Sequence, residues 1–137
     1  MKTLLSLILC LALAVPVWAE DIRATVLEVH DGDTLFVRPD GDCLPVLFQR
    51  IGLRLNGCDT PELKDARPDI RALANEARDY TKGLLPVGQA VTIKGVKWDK
   101  YGGRIDGTLE VNGQDLCRLL IDAGLAREYH GQGPKPW

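Results

Sequence analysis

Turn-forming residues cut this chain into short extended pieces and leave room for only two helices. Residues 22–30 are rich in β-branched and aliphatic side chains, Asp31-Gly32 breaks that run, and residues 34–38 resume as a second strand. Pro39-Asp40-Gly41 turns the chain again, and residues 42–48, with Pro45, read as a loop. Alternation returns in residues 51–56: Ile51, Leu53 and Leu55 share one face of a strand, and Arg54 shares the other with Asn56. Pro68-Asp69 opens a helix in which Ile70, Leu73, Ala74, Ala77, Tyr80, Thr81 and Leu84 follow the helical period, and Pro86 stops it. Residues 89–97 alternate as a strand, with Val91, Ile93 and Gly95 on one face. Residues 104–111 form another, closed by the hairpin pair Asn112-Gly113. Leu116, Leu119, Leu120 and Ala123 make the second helical stripe, with Gly124 at its C-terminal end. Residues 131–137 are rich in Pro and Gly and irregular. Two helices cannot supply a crossover for every pair of a parallel sheet. The expected architecture is therefore mostly β with helices (α+β), a five-stranded OB-fold barrel with two to three helices.

The N-terminus is of a different kind. Lys2 is followed by an apolar run over residues 4–17, and Val17-Trp18-Ala19 places small residues where a signal peptidase cuts. Residues 1–19 are expected to be a signal peptide, and residues 20–137 one exported domain, periplasmic or secreted. The run is short for a membrane span, so no stable membrane insertion is expected after cleavage. The removed segment carries Lys2 and no acid, so the formal charge of −2 becomes −3. An acidic chain is a poor non-specific coat for nucleic acid, although a local basic patch is compatible with that balance. Cys43, Cys58 and Cys117 follow the leader. An oxidising compartment permits one disulfide among three pairings, which stay open. The cysteine spacings fit no zinc site. With only His30 and His130, a histidine-rich metal site is not expected either.

The chemistry-bearing residues are acids and arginines set beside turns. Asp33 follows Asp31-Gly32; Arg54 lies five residues before Asp59-Thr60-Pro61-Glu62; Arg104 follows Gly102-Gly103. A phosphodiester is an anion that repels hydroxide, so its hydrolysis needs charge neutralisation, an oriented water and stabilisation of the transition state. Asp33 and Asp59 offer hard oxygen ligands of the kind Ca²⁺ or Mg²⁺ takes. Arg54 and Arg104 can each fork two donors onto phosphate, and Glu62 can activate a water. Asp31, in an Asp-Gly pair, is expected to serve the turn rather than bind a ligand directly.

These residues carry a resemblance to the staphylococcal nuclease (thermonuclease) family, spanning about residues 24–129. The matching runs are Val29-His30-Asp31-Gly32-Asp33-Thr34, then Leu53-Arg54-Leu55-Asn56-Gly57-Cys58-Asp59-Thr60-Pro61-Glu62, then Asp99-Lys100-Tyr101-Gly102-Gly103-Arg104, with Glu76-Ala77 and Ala123-Gly124-Leu125-Ala126. The resemblance implies an OB-fold barrel and a Ca²⁺-dependent nuclease acting on DNA and RNA, which cleaves the 5′ P–O bond and leaves 3′-phosphate ends. It implies Asp33 and Asp59 as metal carboxylates with the Thr60 carbonyl, Arg54 and Arg104 as phosphate-stabilising arginines, and Glu62 as general base. Lys100 and Tyr101 match positions that contact a terminal nucleotide phosphate, and Tyr129 falls near the tyrosines of the nucleotide pocket.

Three departures stand out. Tyr101-Gly102-Gly103-Arg104 is one residue longer than the family's Tyr-Gly-Arg, and the extra glycine either forms a bulge that keeps Arg104 on target or misplaces it. The loop over residues 39–49 is longer than in the type enzyme; with Cys43 it covers part of the barrel or tethers to Cys58. The chain is acidic where the type enzyme is basic, so weaker non-specific binding is expected. A competing reading is a non-catalytic OB-fold module that binds nucleic acid or an envelope partner. Aromatic residues are 6% of the chain, few for a base-stacking platform. A module that only bound Ca²⁺ would need no paired arginines.

Overall fold

The computed structural model describes residues 20–41 and 46–137. The expected signal peptide and Cys43 lie outside them. The element order is β1 (Glu20–Val29), β2 (Thr34–Pro39), a 3₁₀ turn (Val46–Phe48), β3 (Ile51–Leu55), β4 (Gly57–Asp59), α1 (Pro68–Leu84), β5 (Ala90–Trp98), β6 (Arg104–Val111), β7 (Gln114–Asp115), α2 (Leu116–Asp122) and β8 (Arg127–Tyr129). No helix among the described residues is long and apolar enough to cross a membrane.

Five strands close a barrel in the order β3-β2-β1-β5-β6, with β3 returning to pair with β6. Every neighbouring pair is antiparallel except β3–β6, which is parallel, with Gly52 beside Arg104 and Arg54 beside Asp106. This is the expected OB-fold barrel. Alternation fills it: Ala24, Val26, Leu35, Val37, Leu53 and Ile93 are fully buried, while Arg54 stands on the opposite face of β3 from Ile51, Leu53 and Leu55. The Asn112-Gly113 pair turns β6 into β7 with φ of 52° and 79°, the left-handed values such a two-residue hairpin needs.

Two assignments of residues to the inward face are corrected. Gly95 does not continue the inward face of β5. Pairing with β6 shifts register between Lys94 and Lys97, and Gly95 has φ 62° in that bulge, so Val96 packs on the core instead. In α2, Leu116, Leu119 and Leu120 face the core as expected and Cys117 joins them, whereas Ala123 is an exposed C-cap. Three further short strands, β4, β7 and β8, were not anticipated.

Helix α1 begins at Pro68 and buries Ala74, Ala77 and Thr81 against the barrel. These small side chains let it approach the β1–β2 turn closely. Cys58 of β4 is bonded to Cys117 of α2, with Cα atoms 5.6 Å apart and 59 residues between them in sequence. That choice among the three pairings rules out a tether from Cys43 to Cys58. The bridge clamps the strand that carries Asp59 to the second helix. In the chain-entropy view a loop of that length contributes about 4 kcal/mol. Replacing both cysteines with Ala is therefore expected to lower unfolding free energy by roughly 2–4 kcal/mol, measured by urea denaturation under oxidising conditions.

Candidate active site

The β1–β2 turn is built to present Asp33. The Asp31 carboxylate accepts the Asp33 backbone N–H at 3.2 Å, and the His30 N–H donates to the Thr34 carbonyl at 3.0 Å. Asp31 thus serves the turn, as expected. Thr81 of α1 donates its hydroxyl to the Gly32 carbonyl at 2.8 Å, a buried bond. A Cβ on Gly32 would come to 2.7 Å from the Thr60 methyl and 2.8 Å from Ala77 Cβ. Position 32 is therefore glycine because α1 and the Thr60 segment close on it. Asp33, wedged there, is 1% exposed.

Around Asp33 the structure gathers Arg54, Asp59 and Thr60. Thr34 donates its hydroxyl to Asp33 Oδ1 at 3.1 Å, and the Thr60 backbone N–H donates to Oδ2 at 2.8 Å. Arg54 sits opposite Thr34 in the β2–β3 ladder. Its Nη2 lies 3.1 Å from Asp33 Oδ2 and 2.5 Å from Asp59 Oδ1. One guanidinium nitrogen therefore serves two buried carboxylates.

The titration of these groups follows first from their burial and then from their mutual charges. Burial pushes the Asp33 carboxyl up to about 6; Arg54 opposes the shift and the charge of Asp31 adds to it. Asp59 is also raised, by burial and by Asp33, against Arg54 and Lys135. Burial works against the charge on Arg54, but Asp33 and Asp59 outweigh it and its pKa rises. Asp33 and Asp59 are hard oxygen donors with negative charge to spare, which fits a hard divalent cation held by two carboxylates, a backbone carbonyl and water. Among the described residues no group of three His, Cys, Asp or Glu side chains converges as a complete protein cage.

Glu62 and Arg104 are not in that buried cluster. They face it across an open cavity of about 600 Å³ that Arg54, Glu62, Tyr101 and Arg104 line together. Arg104 opens β6, and its Nε donates to Asp99 Oδ2 at 2.7 Å. The other Asp99 oxygen accepts the Tyr101 N–H at 2.7 Å. These contacts, the Tyr101 N–H first, hold the Asp99 carboxyl below the usual carboxylate range. The extra glycine is absorbed in the hairpin loop: Gly102 and Gly103 have φ of 75° and 77°, and the Asp99 N–H still reaches the Arg104 carbonyl at 3.1 Å. It is not a strand bulge, and Arg104 remains on the cavity. Lys100 and Tyr101 lie on that loop and line an adjoining cavity of about 460 Å³ with Tyr129.

Reasoning from sequence missed Asp99 as the clamp on Arg104, and it missed the C-terminal segment. Lys135 pairs with Glu62 at 2.6 Å, and the Trp137 indole N–H donates to the Asp59 carbonyl at 2.8 Å. Asp99, five residues before Arg104 across a Gly-rich turn, carried a readable signal; Lys135 and Trp137 carried none.

Asp33 gives the sign of one pH effect. Its folded pKa of about 6 exceeds the ordinary 3.8, so between those values the folded state holds more protons than the unfolded one. Its contribution to metal-free stability is full below about pH 4 and falls as pH rises to about 6. Urea unfolding in chelator at a series of pH values should show this fall in the wild type relative to Asp33→Asn; parallel pH curves would refute it.

Comparison with known proteins agrees with the geometry. Residues 52–136 match the family model described as staphylococcal nuclease homologue. An uncharacterized endonuclease of Escherichia coli O157:H7 is 26% identical over 88% of this chain and 70% of its own length. A thermonuclease of Staphylococcus hyicus is 33% identical over 74% of this chain and 56% of its own length. An uncharacterized protein of Bacillus anthracis is 31% identical over 77% of this chain and 46% of its own length. The chain thus spans about half the length of two of these relatives. With the barrel, the buried acid pair and the two arginines on one cavity, the match over residues 52–136 shows that this chain belongs to the staphylococcal nuclease homologue family.

Proposed function

We propose that this chain is an exported, Ca²⁺-dependent nuclease that hydrolyses the phosphodiester bonds of DNA and RNA. The observation that carries the reading is the convergence of Arg54, Glu62 and Arg104 on one cavity beside the buried Asp33–Asp59 pair. The family membership and the relatives named endonuclease and thermonuclease support it. The hydrophobic leader supports export.

Asp33, Asp59 and the Thr60 carbonyl would hold the ion, which when bound supplies Lewis-acid charge at the phosphate. The remaining work falls to side chains of this chain. Arg54 and Arg104 neutralise the non-bridging oxygens and the charge that builds on them. Glu62, more than half exposed, accepts the proton of a water whose oxygen forms the new bond to phosphorus. The P–O5′ bond breaks, and the departing oxygen leaves as a hydroxyl after taking up a proton from solvent water, to which Glu62 later returns its own. Lys100 and Tyr101 contact a neighbouring phosphate. Asp99 keeps Arg104 in one rotamer, so less of its freedom is lost at the moment of reaction.

Cleavage of single-stranded DNA by residues 20–137 is expected with Ca²⁺ and is expected to vanish in chelator; full activity in chelator would refute the metal assignment. Glu62→Gln should retain the wild-type melting temperature and lose roughly 10²–10⁴-fold in rate. Unchanged cleavage would remove Glu62 from the mechanism. A folded wild type that cleaves under no metal would instead favour the binding module.

A further inference from the structure

Residues 131–137 are placed by a series of specific contacts. β8 runs antiparallel to β4, with Asp59 opposite Arg127 and Gly57 opposite Tyr129. The chain then reverses through Gly131 and Gly133, both at left-handed φ, and the Tyr129 hydroxyl donates to the Gly133 carbonyl at 3.2 Å. The return leg ends on Trp137. Its indole N–H is bonded to the Asp59 carbonyl at 2.8 Å, and the Arg127 guanidinium lies 4.0 Å over its ring. Arg127 also donates to the Pro136 carbonyl. The residue delivered by this latch is Lys135.

Lys135 Nζ is 2.6 Å from Glu62 Oε1 and 3.9 Å from Asp59 Oδ1. Together with Arg54 and Arg104 it lines both cavities of the site, so its ammonium stands where they meet. The three cations common to both cavities differ in what they are free to do. Arg54 is held between two buried acids, and its side chain is 16% exposed. Arg104 is paired with Asp99. Lys135 is 48% exposed and held by an exposed carboxylate, a bond that solvent weakens. Its long stem carries a compact point charge that can follow a phosphate without a fixed fork geometry.

We propose that Lys135 is a further substrate-binding residue, which the Trp137 latch holds at the junction of the two cavities to contact a backbone phosphate of a single-stranded nucleic acid. This rests on the nucleic-acid substrate proposed above. Lys135 is the lysine that lines both cavities, added there to the two barrel arginines.

The test is binding without cleavage. A fluorescent phosphorothioate oligothymidine is titrated by anisotropy in Ca²⁺ over a range of salt, with wild type, Lys135→Met, Lys135→Arg and Trp137→Phe, all checked for unchanged melting. Loss of one phosphate contact should make the slope of log affinity against log salt shallower by about 0.7 in Lys135→Met. Lys135→Arg should restore the slope. Trp137→Phe, which keeps the ring and loses the N–H, should fall between them. A wild-type slope in Lys135→Met overturns the proposal. So does tighter binding or faster cleavage by that variant, which would make Lys135 a block on Glu62, and so does a wild type that does not bind at all. Cleavage of ordinary single-stranded DNA by the wild type is scored in parallel. Cleavage with an unchanged Lys135→Met slope sinks only this proposal, whereas binding with a Lys135-dependent slope and no cleavage sinks only the nuclease reading.

Discussion

The site depends on a shortage of positive charge around Arg54. Two carboxylates, Asp33 and Asp59, are almost fully buried, and one guanidinium nitrogen lies within reach of both. A buried carboxylate costs several kcal/mol unless it is paired and hydrogen-bonded. The arrangement is tolerable because Thr34, the Thr60 N–H and Arg54 all donate to the pair. The same interaction is the mechanical tie of the site. It joins the β1–β2 turn to β4 across β3: the β2–β3 ladder already sets Thr34 opposite Arg54, and the ion pairs extend that register to Asp59.

Supports to this tie are steric and local. Gly32 lacks a side chain where α1 and Thr60 press in, and Gly52 lacks one where Arg104 passes, since an added Cβ would come to 3.2 Å from Arg104 Cβ. Thr81 hydrogen-bonds the turn from the helix, and the Cys58–Cys117 bridge fixes the residue beside Asp59. The acids are placed by packing on rigid elements, and the cations around the cavity by ion pairs. Precision therefore falls off outward from Asp33 to Glu62 and Lys135.

Much of this was legible from residues alone where the signal is local. The alternation of Ile51, Leu53 and Leu55 put Arg54 on the outer face, the Asn112-Gly113 pair announced its hairpin, and the first helix begins at Pro68 as that residue indicates. Local signals fail where a distant neighbour decides. The bulge at Gly95 exists because β5 must follow the curve of the barrel against β6, and it carries the inward role to Val96. The cysteine pairing depended on which elements pack together. Lys135 and Trp137 reach partners 73 and 78 residues away, through a two-strand pairing of three residues each that no periodicity announces.

The parallel β3–β6 contact has a kinetic meaning. β1, β2 and β3 form a meander that can pair from nearby sequence, and it already carries Asp33 and Arg54. Arg104 reaches its place beside Gly52 only when β3 and β6, the two edges of the open sheet, meet, and a long loop must lose its freedom before that contact rewards it. The covalent link from β4 to α2 requires the C-terminal helix as well. The pairing of Asp33 with Arg54 thus rests on contacts of short sequence separation, and the placing of Arg104 on one of long separation. The full set of charges around the cavity is therefore a property of the closed barrel and of no smaller piece of it.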